Sequence, residues 1–152
     1  MEQVEQRLAT TGAESRTGST AETFWVRDGL RSLPEPVVIY AGRVDLPHQQ
    51  PVEWQMGAQS SDLMDREWTD LAPALAALGH PVRLQILQLV ARGEASSAAE
   101  LARNPSLGST GQIYHHLRQL VSAGWLQTHS KGRHTVPPER IVPLLVLLSA
   151  ST

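Results

Sequence analysis

At 152 residues and 41% apolar, the chain can bury one modest core with an appendage, and with no cysteine it excludes both a disulfide framework and a thiolate metal site. The net charge of −2 hides an asymmetry: residues 1–67 hold 6 Arg against 11 Asp and Glu, whereas residues 68–152 hold 7 Lys and Arg against 4. No acidic residue occurs between Glu100 and Glu139, a window that holds Arg103, Arg118, Lys131, Arg133 and four of the six histidines, and such a window suits a polyanion.

Residues 1–20 are rich in Glu, Gln, Thr, Ser and Gly and too poor in large apolar groups to offset their ordering entropy, which predicts a disordered tail. They show no apolar stretch behind a basic start, so nothing suggests export and a cytoplasmic protein is expected. The longest apolar run, Ile141 to Leu148, falls far short of the ~20 residues of a membrane span, so no membrane partner is expected. From Glu22 onward, Val26, Leu30 and Leu33 at i, i+4 and i+7 predict a short amphipathic helix closed by Pro34 and Pro36. Val37–Leu46 and Pro51–Gln59 are β-rich runs around a polar connection and predict a β-hairpin. A lone hairpin is marginal in water, so it must lie against the short helix, the downstream domain or a second chain. Trp25, Tyr40 and Trp54 are either this unit's own core or a candidate pocket for a small-molecule effector.

Further on, Trp68, Leu71, Leu75 and Leu78 share a helical face, with Pro73 bending or restarting the helix and Gly79 ending it. Pro81 opens a second helix, and Val82, Leu84, Ile86, Leu87, Leu89 and Val90 make it apolar on more than one side, as a central buried helix is. Ser97 with Glu100 is a capping box for a short third helix that stops before Asn104-Pro105. Ser109 with Gln112 is a second capping box, opening a helix that runs to Ala123 with Ile113, Leu117, Leu120 and Val121 on one stripe and Gly124 as a left-handed stop. Two capped helices joined by a turn with proline and glycine predict a helix-turn-helix. Away from the apolar stripe stand Gly111, His115, Arg118 and Ser122, flanked by Gln112 and Tyr114: a polar, aromatic, cationic and acid-free face suited to reading DNA.

Trp125–Thr128 and Arg133–Val136 are β-prone runs around a basic tip, which reads as a wing. Pro137-Pro138 then starts a last helix without a polar face, predicted to pack against its copy in a homodimer through Ile141, Leu144, Leu145 and Leu148. The expected fold class is thus mainly α with small β elements (α+β): a tail over 1–20, a helix and hairpin extension over 21–62, and a winged helix-turn-helix domain with a dimerisation helix over 63–152.

The blocks LAALGHPVRLQIL (Leu75–Leu87) and AAELA through IYHHLRQLVSAGWL resemble the ArsR/SmtB family of bacterial winged-helix regulators, over about residues 66–150 and with an actinobacterial character. The resemblance implies that Ser109–Ala123 is the recognition helix, with Thr110, Gly111, Gln112, Tyr114 and His115 meeting DNA and Arg118 near phosphates; the helix N-terminus at Ser109 would share the phosphate contacts. Lys131 and Arg133 would hold the DNA from the wing. His116 would pack or cap, and Arg83 matches an arginine of the family's second helix or is simply a solvated cation. Metal sensors of the family use cysteines on the third helix or a His/Asp/Glu set on the last; here there is no cysteine and no histidine after His134, so neither metal nor cofactor is expected. The one remaining metal option is His115, His116, His129 and His134, although adjacent histidines on a helix point about 100° apart.

The function expected is a homodimeric repressor that binds a palindromic operator in double-stranded DNA through helix 109–123 and wing 125–136. Gln112 and Arg118 would make bidentate contacts to adenine or guanine edges. The alternative is a winged-helix protein-interaction module without DNA binding, which the net negative charge favours. No enzyme is expected, since the chain has neither a Gly-rich phosphate loop nor paired carboxylates nor a spaced Ser/His/Asp set, and His48 and His80 read as turn residues.

Overall fold

The computed structural model describes residues 25–47 and 49–152. The expected tail over residues 1–20, the helix start at Glu22 and the turn role of His48 lie outside the described residues. The chain is mainly helical with two small antiparallel sheets, and it divides into two compact units whose boundary runs through the hairpin.

The first unit includes α1 (Trp25–Arg31) and the base of the hairpin formed by β1 (Val37–Val44) and β2 (Val52–Gln59). Helix α1 ends where Ser32 Oγ donates to the Gly29 carbonyl at 2.7 Å, ahead of Pro34, and none of its residues is fully buried. A short helix, α2 (Ser60–Asp65), follows β2 and is tied back by Ser60 N–H donating to the Pro36 carbonyl at 3.0 Å. Six residues are too few for a helical period to show in sequence, so α2 was not expected.

The second unit holds the distal half of the hairpin and everything from Arg66 onward. A 3₁₀ turn (Trp68–Leu71) leads into α3 (Ala72–Leu78), where Pro73 sits in the first turn and restarts the helix. There follow α4 (Pro81–Ala91), α5 (Ala98–Leu101), a 3₁₀ turn (Pro105–Leu107), α6 (Thr110–Ser122), β3 (Gln127–Thr128), β4 (His134–Thr135) and α7 (Pro138–Ser149). One core gathers Ile86 and Leu87 of α4, Leu101 of α5, Ile113, Leu117 and Leu120 of α6, then Trp125 and Leu126. The stripe predicted for α6 is therefore its buried face, and α4 is buried along Ile86, Leu87 and Val90.

Val44, Leu46 and Val52 of the hairpin also pack on this core. The contact depends on Gly42: a Cβ there would lie 2.9 Å from Val142 Cγ1, closer than carbon atoms tolerate, so only a glycine lets β1 approach α7 this closely. The division into units accordingly cuts the hairpin as well as the chain after Asp65. The same packing corrects the assignment of the last helix. Ile141 and Leu144, expected on a dimer face, are 3% and 4% exposed within the chain's own core, while Leu145 and Leu148 remain 45% and 41% exposed. A helix apolar all round has two sides to bury, and here the chain itself covers one of them.

Trp125 joins the first and last helices of this unit. Its Nε1–H donates to the Ala74 carbonyl of α3 at 2.9 Å, and the Arg140 guanidinium of α7 lies 5.0 Å from its ring centroid. Among the described residues, no single helix is long and apolar enough to cross a membrane.

Candidate nucleic-acid interface

The helix-turn-helix is held by local caps. Ser97 Oγ accepts from Glu100 N–H at 3.3 Å, while the Glu100 carboxylate accepts from Ser96 N–H at 2.7 Å, Ser96 Oγ at 3.0 Å and Ser97 N–H at 3.1 Å. The Ser96 N–H above all, with its hydroxyl and the Ser97 N–H, brings the Glu100 pKa down from 4.5 to about 2. In the turn, Asn104 Oδ1 accepts from Ser106 N–H at 3.1 Å, and Gln85 Nε2 donates to Ser106 Oγ at 2.9 Å, tying α4 to the turn. Gly108 then takes a φ of 88°, open to glycine but strained for other residues, and delivers the chain to the α6 cap. There Ser109 Oγ accepts from Gln112 N–H at 3.3 Å and Ser109 N–H donates to Gln112 Oε1 at 2.7 Å. Gly124, with φ 77°, closes the helix as predicted.

Two residues behind α6 do more than their sequence positions suggested. Arg83 donates from Nε to the Ala77 carbonyl at 2.5 Å, from one terminal nitrogen to the Ala76 carbonyl at 2.9 Å, and from the other to Gln119 Oε1 at 2.6 Å. It caps the carbonyls at the end of α3, that of Ala76 beside the Gly79 N–H at 3.1 Å, and fastens them to α6. His80 is the N-cap of α4, its Nδ1 accepting from Val82 N–H at 3.2 Å, which requires an unprotonated Nδ1. Its ring stacks tilted against His116 with centroids 4.6 Å apart, and His116 Nδ1 is buried without a hydrogen-bond partner among the described residues. Burial first, then the charges of His80, Arg83 and His115, push the His116 pKa below its ordinary 6.5. The packing reading of His116 matches this environment.

On the opposite side of α6, Ser109, Thr110, Gly111, Gln112, Tyr114, His115 and Arg118 are all exposed, Tyr114 to 53%. Gln112 is engaged in the cap of its own helix. A bidentate contact to adenine needs both its Oε1 and its Nε2, and the cap already takes one of the two lone pairs of Oε1 and fixes its direction. Arg118 has no such commitment among the described residues.

The wing is shorter than its β-prone runs. Gln127 pairs with Thr135 and Thr128 with His134, while Trp125, Leu126 and Val136 are drawn into the core. His129 Nε2 lies 2.7 Å from Thr135 Oγ1, and His134 N–H donates to the Ser96 carbonyl at 2.6 Å, anchoring the wing to the strand-like entry of α5. At the tip, Lys131 adopts φ 61° and ψ 25°, a left-handed conformation that costs a non-glycine residue about 1 kcal/mol. Lys131 and Arg133 are both exposed.

The four histidines left as a metal option separate: His115 and His116 lie with His80, whereas His129 and His134 are bonded within the wing and to Ser96. Among the described residues no group of three or more His, Asp or Glu is placed to hold a metal ion. Of the candidate effector residues, Trp25 belongs to the first unit and is 45% exposed, whereas Tyr40 and Trp54 belong to the second and are half-buried. No curated protein matches the chain. Residues 78–126, from the end of α3 to the buried pair Trp125 and Leu126, match the family model of a helix-turn-helix domain, and with the wing beside it this supports a DNA-binding regulator of transcription.

Proposed function

We propose that the chain is a homodimeric, sequence-specific repressor of the ArsR type, which binds a palindromic operator through residues 109–123 and the wing 125–136. The observation that carries this reading is the exposed outer face of α6, cationic and acid-free, on a helix fixed from behind by Arg83, its capping box and the core. The matched helix-turn-helix family includes ArsR-type regulators, in keeping with the sequence resemblance. Arg118 is the side chain suited to a bidentate guanine contact, and Tyr114 and His115 flank it. The N–H groups at the start of α6 share the phosphates with Lys131 and Arg133. Leu145 and Leu148 supply the solvent-facing part of a dimer surface, and a two-fold dimer would bind half-sites separated by about 34 Å or a multiple of it. Tyr40 and Trp54 stay candidates for effector contact.

The test is duplex binding by the full chain. Fluorescence anisotropy with random duplex, starting at low salt, should show a log affinity that falls linearly with log salt. Against its operator, Arg118→Ala should lose about 1–3 kcal/mol and relax base preference, and His115→Ala should weaken binding as well. Unchanged affinity in both variants would remove α6 from the interface. No duplex binding at any salt would favour the protein-interaction module.

A further inference from the structure

A groove of about 540 Å³ lies between α5, α6 and the wing. Ala98, Leu117, Val121 and the Tyr114 ring form an apolar floor and wall, and Arg118 and Lys131 border the same space. Its volume falls in the range of small-molecule sites, and its lining is largely carbon with a few polar groups. DNA is a poor match for the floor, because phosphates and base edges take hydrogen bonds that Ala98, Leu117 and Val121 cannot make.

Charge says what the occupant carries. Neither Arg118 nor Lys131 has an ion pair or a side-chain hydrogen bond among the described residues. The nearest acids in sequence are Glu100, whose carboxylate is held in the α5 cap, and Glu139 on α7. Two cations beside an apolar floor, with no carboxylate among the groove's lining residues, complement an anion with an apolar body. His134, 8% exposed, also lines the groove. Its Nδ1 lies 3.3 Å from the Ser96 carbonyl, which can only accept, so the neutral ring carries its proton there and Nε2 is left to accept a hydrogen bond.

We propose that this groove binds an aromatic carboxylic acid, its ring system against Leu117, Val121 and Tyr114 and its carboxylate between Arg118 and Lys131. The acid then engages two cations assigned to DNA, so acid and operator exclude each other. That consequence rests on the DNA-binding reading; the binding of the acid does not.

Isothermal titration calorimetry of the full chain with 2-naphthoate tests the site without DNA. Saturable binding is expected, weakened about tenfold or more for 2-naphthol, which lacks the carboxylate, and by a similar factor in Arg118→Ala. Ala99 lines the groove from an exposed position on α5, so Ala99→Trp should fill it and abolish binding, whereas Ala99→Ser should retain it. Circular dichroism establishes that the tryptophan variant is folded, and if it is not, Arg118→Ala and 2-naphthol decide. The proposal is overturned if wild type shows no saturable binding, or if binding survives undiminished in a folded Ala99→Trp chain or in Arg118→Ala. Anisotropy with random duplex, at matched sodium, should show 2-naphthoate raising the Kd for DNA. Acid binding without displacement of duplex sinks the mutual exclusion. Duplex binding with no acid binding sinks the inference and leaves the DNA reading standing; acid binding with no duplex binding does the reverse.

Discussion

Arg83 donates to two carbonyls of α3 and to Gln119 of α6, so its charge works inside the domain. Its planar fork suits three acceptors at once, and a lysine ammonium does not reproduce that geometry. Arg83→Lys should therefore destabilise the fold by about 1–3 kcal/mol in urea denaturation, and full stability in that variant would refute the clamp. The position of His116 has a pH consequence. Its pKa lies below 6.5 in the folded chain, so below that pH the unfolded state binds more protons and stability falls as pH drops. His116→Gln should flatten that decline. Glu100 acts in a lower window: with 4.5 unfolded and about 2 folded, its contribution is complete above 4.5 and is lost as pH falls from there toward 2. Acid titration of Glu100→Gln, followed by circular dichroism, should lack this second decline; an unchanged acid profile would rule the cap out as its source. Residue roles like these divide by range. The Ser97–Glu100 and Ser109–Gln112 caps were legible because each closes over three residues, whereas Arg83 and Gln119 meet across 36 positions and no local pattern announces them.

Among the elements, α4 and α6 match their sequence patterns because a helix with one apolar stripe, or with apolar residues on several sides, has few ways to bury them. The wing strands and α2 are two and six residues long, below the length at which periodicity separates strand from helix. The hairpin was legible as a hairpin, but not its seat. Gly42 reads in sequence as a weak point in a strand, and only the fold shows Val142 occupying the space a side chain would need. Gly42→Val should therefore lift the distal hairpin from α7, at a loss of about 1–3 kcal/mol, and raise hydrogen exchange in Val44 and Val52. Unaltered stability and exchange would show that the hairpin is not held by this contact. Gln112 is a related case: its cap and a base contact would share one carbonyl oxygen, whose second lone pair points where the closed cap directs it.

For the molecule as a whole, the proposed homodimer turns on what α7 leaves outside. With Ile141 and Leu144 inside the core, Leu145 and Leu148 carry the prediction. Leu145→Asp with Leu148→Asp should give a folded monomer by sedimentation equilibrium, and a persisting dimer would locate the interface elsewhere. The charge asymmetry, the capped helix pair, the acid-free face of α6 and the basic wing tip were all determined by the sequence alone, because charge, caps and amphipathic period are properties of residues a few positions apart. Tertiary structure alone decided that the hairpin covers part of the last helix, that Arg83 clamps two helices and that the groove beside Arg118 has an apolar floor. Each of these joins residues distant in the chain, and their packing depends on volumes and approach distances that no local pattern encodes.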